Sequence, residues 1–327
     1  MTRGRRILAL LTRTGLVLVL FAAAAVPATT APAAPAVTVA PAGGTGALFG
    51  AHLQPPSKDA EPQKQDLVAL EGALGRTLDI DHNFYPWDVE FPTWREGWDL
   101  DNGRIPMISW NGTLTLGIAA GAEDSLIAER ADAVRALGRT VLLRWMWEMD
   151  GNQKQEDSLV PPSYVLAWRH IHDVFQSRGA TNVEWIWCPN ASAFQPGGDA
   201  PKYYPGDEYV DWICADGYNW NPGRPGDKWK SFSEIYSAFY DWSLYRRKPM
   251  MVGEFGVQER APDEKARWLA DARQAVKSQF PAIGAVVYFD ADKDYDWRVD
   301  SSGSALAAFR DWARDPYFNP RRVPLGP

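Results

Sequence analysis

The chain is 327 residues long, 46% hydrophobic and 13% aromatic, with a formal charge of −7, two cysteines and four histidines. That length suits one large domain, and an acidic balance with no arginine-rich run argues against a nucleic-acid partner. With no Cys/His cluster at ligand spacing, a zinc-organised scaffold is excluded as well.

Residues 1–36 read as a secretory signal peptide. Arg3, Arg5, Arg6 and Arg13 form its positive end, Gly15 to Val26 its short apolar core, and small residues around Ala31 to Ala36 offer cut sites. The core is shorter than the roughly 20 residues a membrane-spanning helix needs. The expectation is therefore a secreted, extracellular protein with no stable membrane insertion after cleavage. Residues 37–47 read as an Ala/Pro/Gly-rich linker. Residues 48–327 are left for a single domain, and losing the four leader arginines takes the formal charge from −7 to −11.

From Leu48 a strand-then-helix rhythm begins. Apolar strand-like runs fall at Leu48–Leu53, Thr77–Asn83, Ile105–Trp110, Val141–Trp147, Val183–Cys188, Val210–Ala215, Met250–Gly253 and Ile283–Phe289. Helical patterns are clearest at Asp124–Leu137, Ser163–Gln176, Ser233–Tyr245, Asp263–Phe280 and Ser304–Ala313, with Gly138 and Gly179 as stops. The stretch from Tyr85 to Gly103, rich in Trp and Pro, is left without a helix. Buried strands alternating with helices imply a parallel sheet, and eight of them imply a closed (β/α)8 TIM barrel in the α/β class.

Two stretches share one grammar. Val141 to Trp147 is an apolar run closed by Glu148 and then by Asp150-Gly151; Met250 to Val252 leads through Gly253 to Glu254 and Gly256. Counting by twos places Met146, Arg144 and Leu142 on the face of Glu148. A carboxylate at the carboxyl end of the fourth strand and another at the seventh are what glycoside hydrolysis by double displacement requires. Each taken alone also fits an ordinary loop glutamate.

Tryptophan, with 16 copies, outnumbers Tyr and Phe taken singly. Trp87, Trp110, Trp147, Trp220 and Trp297 follow strands, where flat indoles suit the C–H faces of sugar rings; Trp168, Trp242 and Trp268 read as packing residues. About half of the loop set is expected to touch substrate. Tyr218, after the sixth strand, is placed to hydrogen-bond Glu254. Arg144 is expected to be a buried cation partnered by Asp79 or Asp81. Cys188 and Cys214 read as buried free thiols, because a bridge between neighbouring buried strands is usually strained. Asp290, Asp292, Asp294 and Asp296 alternate as in a calcium loop, but Trp297 stands where such a loop needs glycine, so a solvated acidic loop is the reading. There is no phosphate-cradling loop, serine elbow or dinucleotide fingerprint, and neither metal nor cofactor is implied.

These motifs resemble glycoside hydrolase family 26. The resemblance rests on Arg144-Trp-Met-Trp-Glu148-Met-Asp-Gly, Trp187-Cys-Pro-Asn190, Tyr204-Pro-Gly-Asp, Tyr209-Val-Asp-Trp-Ile, Asp216-Gly-Tyr218-Asn219 and Gly253-Glu254-Phe-Gly256. It implies a barrel with Glu148 as acid/base, Glu254 as nucleophile and Tyr218 bonded to the nucleophile. It further implies retention of anomeric configuration on a β-mannan, or else a β-1,3-xylan or mixed-linkage β-glucan. Arg144, Trp147, Trp110, Asn190, Trp220 and Trp297 complete the expected substrate-binding or supporting set. The family's usual His before the acid/base is Trp147 here, and its usual Asn two residues after is Asp150, which puts mannan specificity in question.

The expectation is thus a monomeric, metal-independent retaining endo-β-glycanase whose partner is a polysaccharide. Glu148 should start protonated and Glu254 ionised, with the two carboxyl groups about 5–5.5 Å apart. The rival from another class is a catalytically inactive sugar-binding barrel. A weaker one is a metal-dependent deacetylase.

Overall fold

The computed structural model describes residues 46–151 and 160–320. The leader expected at 1–36, and all of the linker but Gly46 and Ala47, lie outside them. Ala47, assigned to the linker by composition, is fully buried and donates its N–H to the Tyr317 carbonyl at 2.9 Å, so packing begins one residue before β1.

Eight parallel strands close into a barrel, each bonded to the next and β8 back to β1. They are β1 (Leu48–Leu53), β2 (Ile80–Tyr85), β3 (Ile105–Trp110), β4 (Val141–Trp145), β5 (Val183–Trp187), β6 (Trp212–Asn219), β7 (Met250–Val257) and β8 (Ile283–Asp290). The helices between them are α1 (Ala60–Leu74), α2 (Trp94–Asp101), the short α3 (Thr115–Ala119), α4 (Asp124–Ala136), α5 (Pro161–Ser177), α6 (Phe232–Leu244), α7 (Glu264–Ser278) and α8 (Gly303–Arg314). From β5 to β6 the chain makes only short 3₁₀ turns. Among the described residues no helix is long and apolar enough to cross a membrane.

Local chemistry accounts for most boundaries. Ser231 and Glu234 form a reciprocal capping box at the start of α6, and Pro161 opens α5 where its missing N–H costs nothing. Gly138 and Gly179, with φ of 63° and 73°, take the left-handed position after α4 and α5. The stretch left without a helix contains α2. A capping box of Thr93 and Glu96 starts it, and Arg95 pairs with buried Asp81 of β2 at 2.7 Å. The Thr93-Trp-Arg-Glu96 capping box is the local sign of this helix that the Trp- and Pro-rich composition masks, and the ion pair then ties it to the barrel.

Two apolar layers follow from the two-residue strand period. Ile80, Met107, Leu142, Trp212, Met251 and Val287 fill the barrel interior; Leu143, Trp145, Ile213 and Val286 pack outward with helix residues such as Trp168 and Phe309. The interior tolerates little extra volume. Gly50 lies opposite Ile80 in the β1–β2 ladder, and a Cβ there would sit 2.7 Å from the Ile80 Cβ and 2.8 Å from its carbonyl oxygen. Gly50→Ala is expected to lower stability by about 1–3 kcal/mol, read as a fall in the urea midpoint at unchanged slope. An unchanged midpoint would contradict it.

Candidate active site

The two glutamates enter the site where strand periodicity breaks. Along β4, Leu142 belongs to the interior while Leu143 and Trp145 pack outward. Met146 and Glu148 then both adopt left-handed backbone, with φ of 45° and 51°. Such residues cost on the order of 1–3 kcal/mol and persist only where surroundings hold them. The Glu148 N–H donates to the Cys188 carbonyl at 2.8 Å and the Met146 N–H to Trp110 at 2.9 Å. The count by twos holds for Arg144 and Glu148 but not for Met146. Met146 joins the outer layer, Trp147 packs against the interior, and Glu148 lines a cleft at the barrel's carboxyl end.

β7 reaches the same cleft by a bulge. Ala215 pairs with Val252, and the next residue, Asp216, pairs with Glu254, so Gly253 is the extra residue. Met250 and Val252 pack outward. Regular alternation would send Glu254 the same way; the extra residue turns it inward. Only glycine fits, because a Cβ at 253 would lie 2.3 Å from the Cys214 sulfur and 2.8 Å from Asp216 Oδ1.

Beneath the carboxylates lies Arg144, wholly buried. Its partners are neither Asp79 nor Asp81, which pair with Arg76 and Arg95 instead. Asp79, just before β2, and Asp81 on it lie one residue out of phase with Ile80, which packs into the interior. Arg144 donates through Nη1 to Asp216 Oδ2 at 2.6 Å, through Nε to Ser109 Oγ at 2.7 Å, and through Nη2 to Glu254 Oε1. The Trp147 ring covers the guanidinium at 5.2 Å. Tyr218 donates its hydroxyl to the other oxygen of Glu254, Oε2, at 2.6 Å. Both oxygens of Glu254 are thus held by donors from different strands.

One carboxylate oxygen from each of Glu148, Asp216 and Glu254 lies within 4.8 Å of the others. Burial drives the Asp216 carboxyl well above the usual range, opposed by Arg144 and reinforced by Glu254 and Glu148. Burial, with the charge of Glu254, likewise raises the Tyr218 phenol and keeps it a donor. Three clustered acids are also a possible cation cage, but here the Arg144 guanidinium already supplies positive charge to two of them.

The cysteines are bonded, not free: Cys188 and Cys214 form a disulfide with their Cα atoms 4.3 Å apart. Cys188 is the first residue past β5, opposite Cys214 of β6, and the bare Gly253 leaves room for the sulfurs. Release of residue 188 from the regular ladder is what the strain argument overlooked.

The cleft encloses about 1080 Å³. Trp147, Trp220 and Trp297 line it, along with Tyr218 and Asn190. Trp220 and Trp297 meet edge to face at 5.3 Å, and Trp297 lies 4.9 Å from Tyr218. Trp110 does not belong to this lining. It is fully buried, stacked at 4.2 Å on Trp87 with its N–H donated to the Trp87 carbonyl, and serves the core. Asp150 accepts the Asn190 backbone N–H at 2.9 Å and so ties the loop after β4 to the end of β5. The run of aspartates makes a small hairpin of β9 (Asp292–Lys293) and β10 (Tyr295–Asp296) at the rim, with Asp296 bonded to Arg298 at 2.9 Å. His52, Asn83, Phe84 and Phe289 also line the cleft. The sequence reading passed over them because an isolated His or Phe inside a strand run carries no motif.

Fold and site define a (β/α)8 barrel with paired carboxylates at the ends of its fourth and seventh strands. The sequence profile of glycosyl hydrolase family 26 matches residues 122–245. Endoglucanase H of Acetivibrio thermocellus is 33% identical over 262 residues, covering 77% of this chain and 29% of that one. Mannan endo-1,4-beta-mannosidase A and B of Caldalkalibacillus mannanilyticus is 27% identical over 194 residues, covering 57% of this chain and 34% of that one. The chain therefore spans about a third of the length of these curated relatives. A GH26 beta-mannanase from Bacteroides ovatus shares the fold with a TM-score of 0.61 at 15% identity, over 84% of this chain and 90% of that one. In fold and in the matched segment the chain is similar to glycosyl hydrolase family 26.

The disulfide makes a direct prediction. Alkylation of the denatured, unreduced protein should add no label, and after reduction it should add two, one for each cysteine of the sequence. Reduction should cost about 3 kcal/mol of stability, read from urea unfolding with and without reductant. Label taken up before reduction would refute the bond.

Proposed function

We propose that the chain is an exported, monomeric, retaining endo-β-glycanase. The observation that carries this reading is the approach of the Glu148 and Glu254 carboxylates to within 4.8 Å. That leaves no room for a water between sugar and base, which inverting enzymes accommodate with carboxyl groups about 6.5–9.5 Å apart. Glu254, held by Arg144 and Tyr218, is aimed to attack the anomeric carbon and form a glycosyl-enzyme. Glu148, on the cleft wall, protonates the departing oxygen and later takes a proton from the water that releases the sugar. A cleft of about 1080 Å³ exceeds the ~300–1,000 Å³ typical of a drug-sized ligand and suits several sugar units of a chain cut internally.

The substrate is a β-linked polysaccharide, with β-mannan in first place on the family resemblance. Two observations favour a second reading, a β-glucan: Trp147 stands before the acid/base, and the most extensive curated match described above carries the name endoglucanase. The leader-like residues 1–36 support export.

A reducing-end assay on mannan, glucomannan, mixed-linkage glucan, β-1,3-xylan and β-1,4-xylan tests the reading. One of them should be cut, with the anomer of the first-formed product unchanged by NMR, and Glu254→Ala should lose at least ~10⁴-fold in kcat. Glu148→Ala should lose ~10²–10⁴-fold on polysaccharide yet recover on aryl glycosides whose leaving group needs no proton. Chelator should leave the activity intact. Glycan binding without product, unaffected by Glu148→Gln, would instead mark a binding protein. Tyr218→Phe removes one charge-assisted hydrogen bond, ~1.5–3 kcal/mol, and should lower kcat about 10- to 100-fold while KM changes little.

A further inference from the structure

His52, near the end of β1, lines the cleft and has no place in the chemistry assigned to Glu148 and Glu254. Its Nδ1 lies 2.9 Å from the backbone carbonyl oxygen of His82 on β2. A carbonyl only accepts, so Nδ1 carries the proton. Nε2 of the neutral ring is then a bare acceptor. No partner bonds it among the described residues, and it is not among the sealed, unsatisfied atoms of the interior. The ring cannot readily exchange its two nitrogens. It is stacked on Phe289 at 5.0 Å and 27°, with Phe84 against it edge-on at 4.7 Å.

The surroundings keep that ring uncharged. Burial lowers His52 to about 4, against the pull of Glu254 and Asp81 and helped by Arg95. Glu148, Asp150 and Glu254 on the same cleft wall are acids. A further carboxylate here would repel the nucleophile's charge, whereas a neutral imidazole accepts a hydrogen bond without adding any.

We propose that His52 Nε2 is a fixed acceptor for one hydroxyl of the sugar unit lying beside Glu254, and so a specificity-determining residue of the cleft. It selects a substrate whose hydroxyl at that place points toward β1, and disfavours the epimer or deoxy sugar that leaves Nε2 unbonded. This deepens the glycanase reading above and rests on it.

The test pairs variants with substrate analogues. Wild type, His52→Leu and His52→Gln are assayed on an oligosaccharide of the polysaccharide cleaved and on analogues that each lack one hydroxyl. In wild type one analogue should lose roughly tenfold in kcat/KM beyond its intrinsic reactivity change. In His52→Leu that extra penalty should vanish, and His52→Gln, whose side-chain oxygen replaces the acceptor, should restore part of it. Equal penalties in wild type and His52→Leu for every analogue would overturn the proposal and leave His52 a packing residue.

A binding measurement holds even where His52→Leu does not fold. In ¹⁵N spectra of Glu254→Ala protein, Nε2 of His52 should be unprotonated and should shift on adding the oligosaccharide. A protonated or unresponsive Nε2 overturns the proposal. Failure of the functional reading looks different: wild-type protein that cuts no β-glycan, which removes both.

Discussion

A guanidinium with no contact with water holds this site together. Taking an ion of that size out of water costs several kcal/mol, and only close counter-charges and hydrogen bonds offset it. Arg144 finds them on three other strands: Ser109 on β3, Asp216 on β6 and Glu254 on β7. The barrel must close in this register for the cation to be tolerated. Closure in turn fixes one oxygen of Glu254, and Tyr218 fixes the other. The alignment of the candidate nucleophile is therefore a by-product of neutralising a buried charge, and stability and chemistry draw on the same contacts.

The layer beneath is covalent. The Cys188–Cys214 bond crosses from the end of β5 to β6, and its sulfur lies 3.1 Å from Asp216 Oδ1. The Cys188 carbonyl also receives the Glu148 N–H. One residue thus supports both sides of the site, through its side chain toward Asp216 and through its backbone toward Glu148. Above, the aromatic wall of Tyr218, Trp220 and Trp297 rises from β6 and from the loop after β8.

The barrel was legible because buried strands and amphipathic helices alternate in a way few other folds permit. Seven of the eight strands begin within two residues of their apolar runs; β2 begins at Ile80, three after Thr77. What the sequence concealed has physical causes. The helix over Trp94–Asp101 is short and set among Trp and Pro, and its Arg95 is anchored to Asp81 of the barrel rather than within its own run. Trp110 follows a strand as a substrate-binding residue would, yet it stacks on Trp87 under the loop, a matter of tertiary packing. The partners of Arg144 sit 72 and 110 residues away, beyond any local pattern. Motif and neighbouring glycine marked Glu148 and Glu254; periodicity also turns Glu148 inward, but it misplaces Met146 beside it and, counted from Val252, turns Glu254 outside.

The bulge at Gly253 therefore separates two kinds of information carried by one strand. The apolar residues of β7 specify a barrel stave; the single inserted residue specifies which way its tip faces. Removing that residue would leave composition, hydrophobicity and helix boundaries untouched and rotate the tip by half a turn. For the shared ancestry of such barrels, and for anyone grafting this strand onto another scaffold, length at one position matters more than the identity of most side chains around it. A sequence comparison that scores substitutions but treats a one-residue gap lightly would rank the inert and the competent strand as near twins.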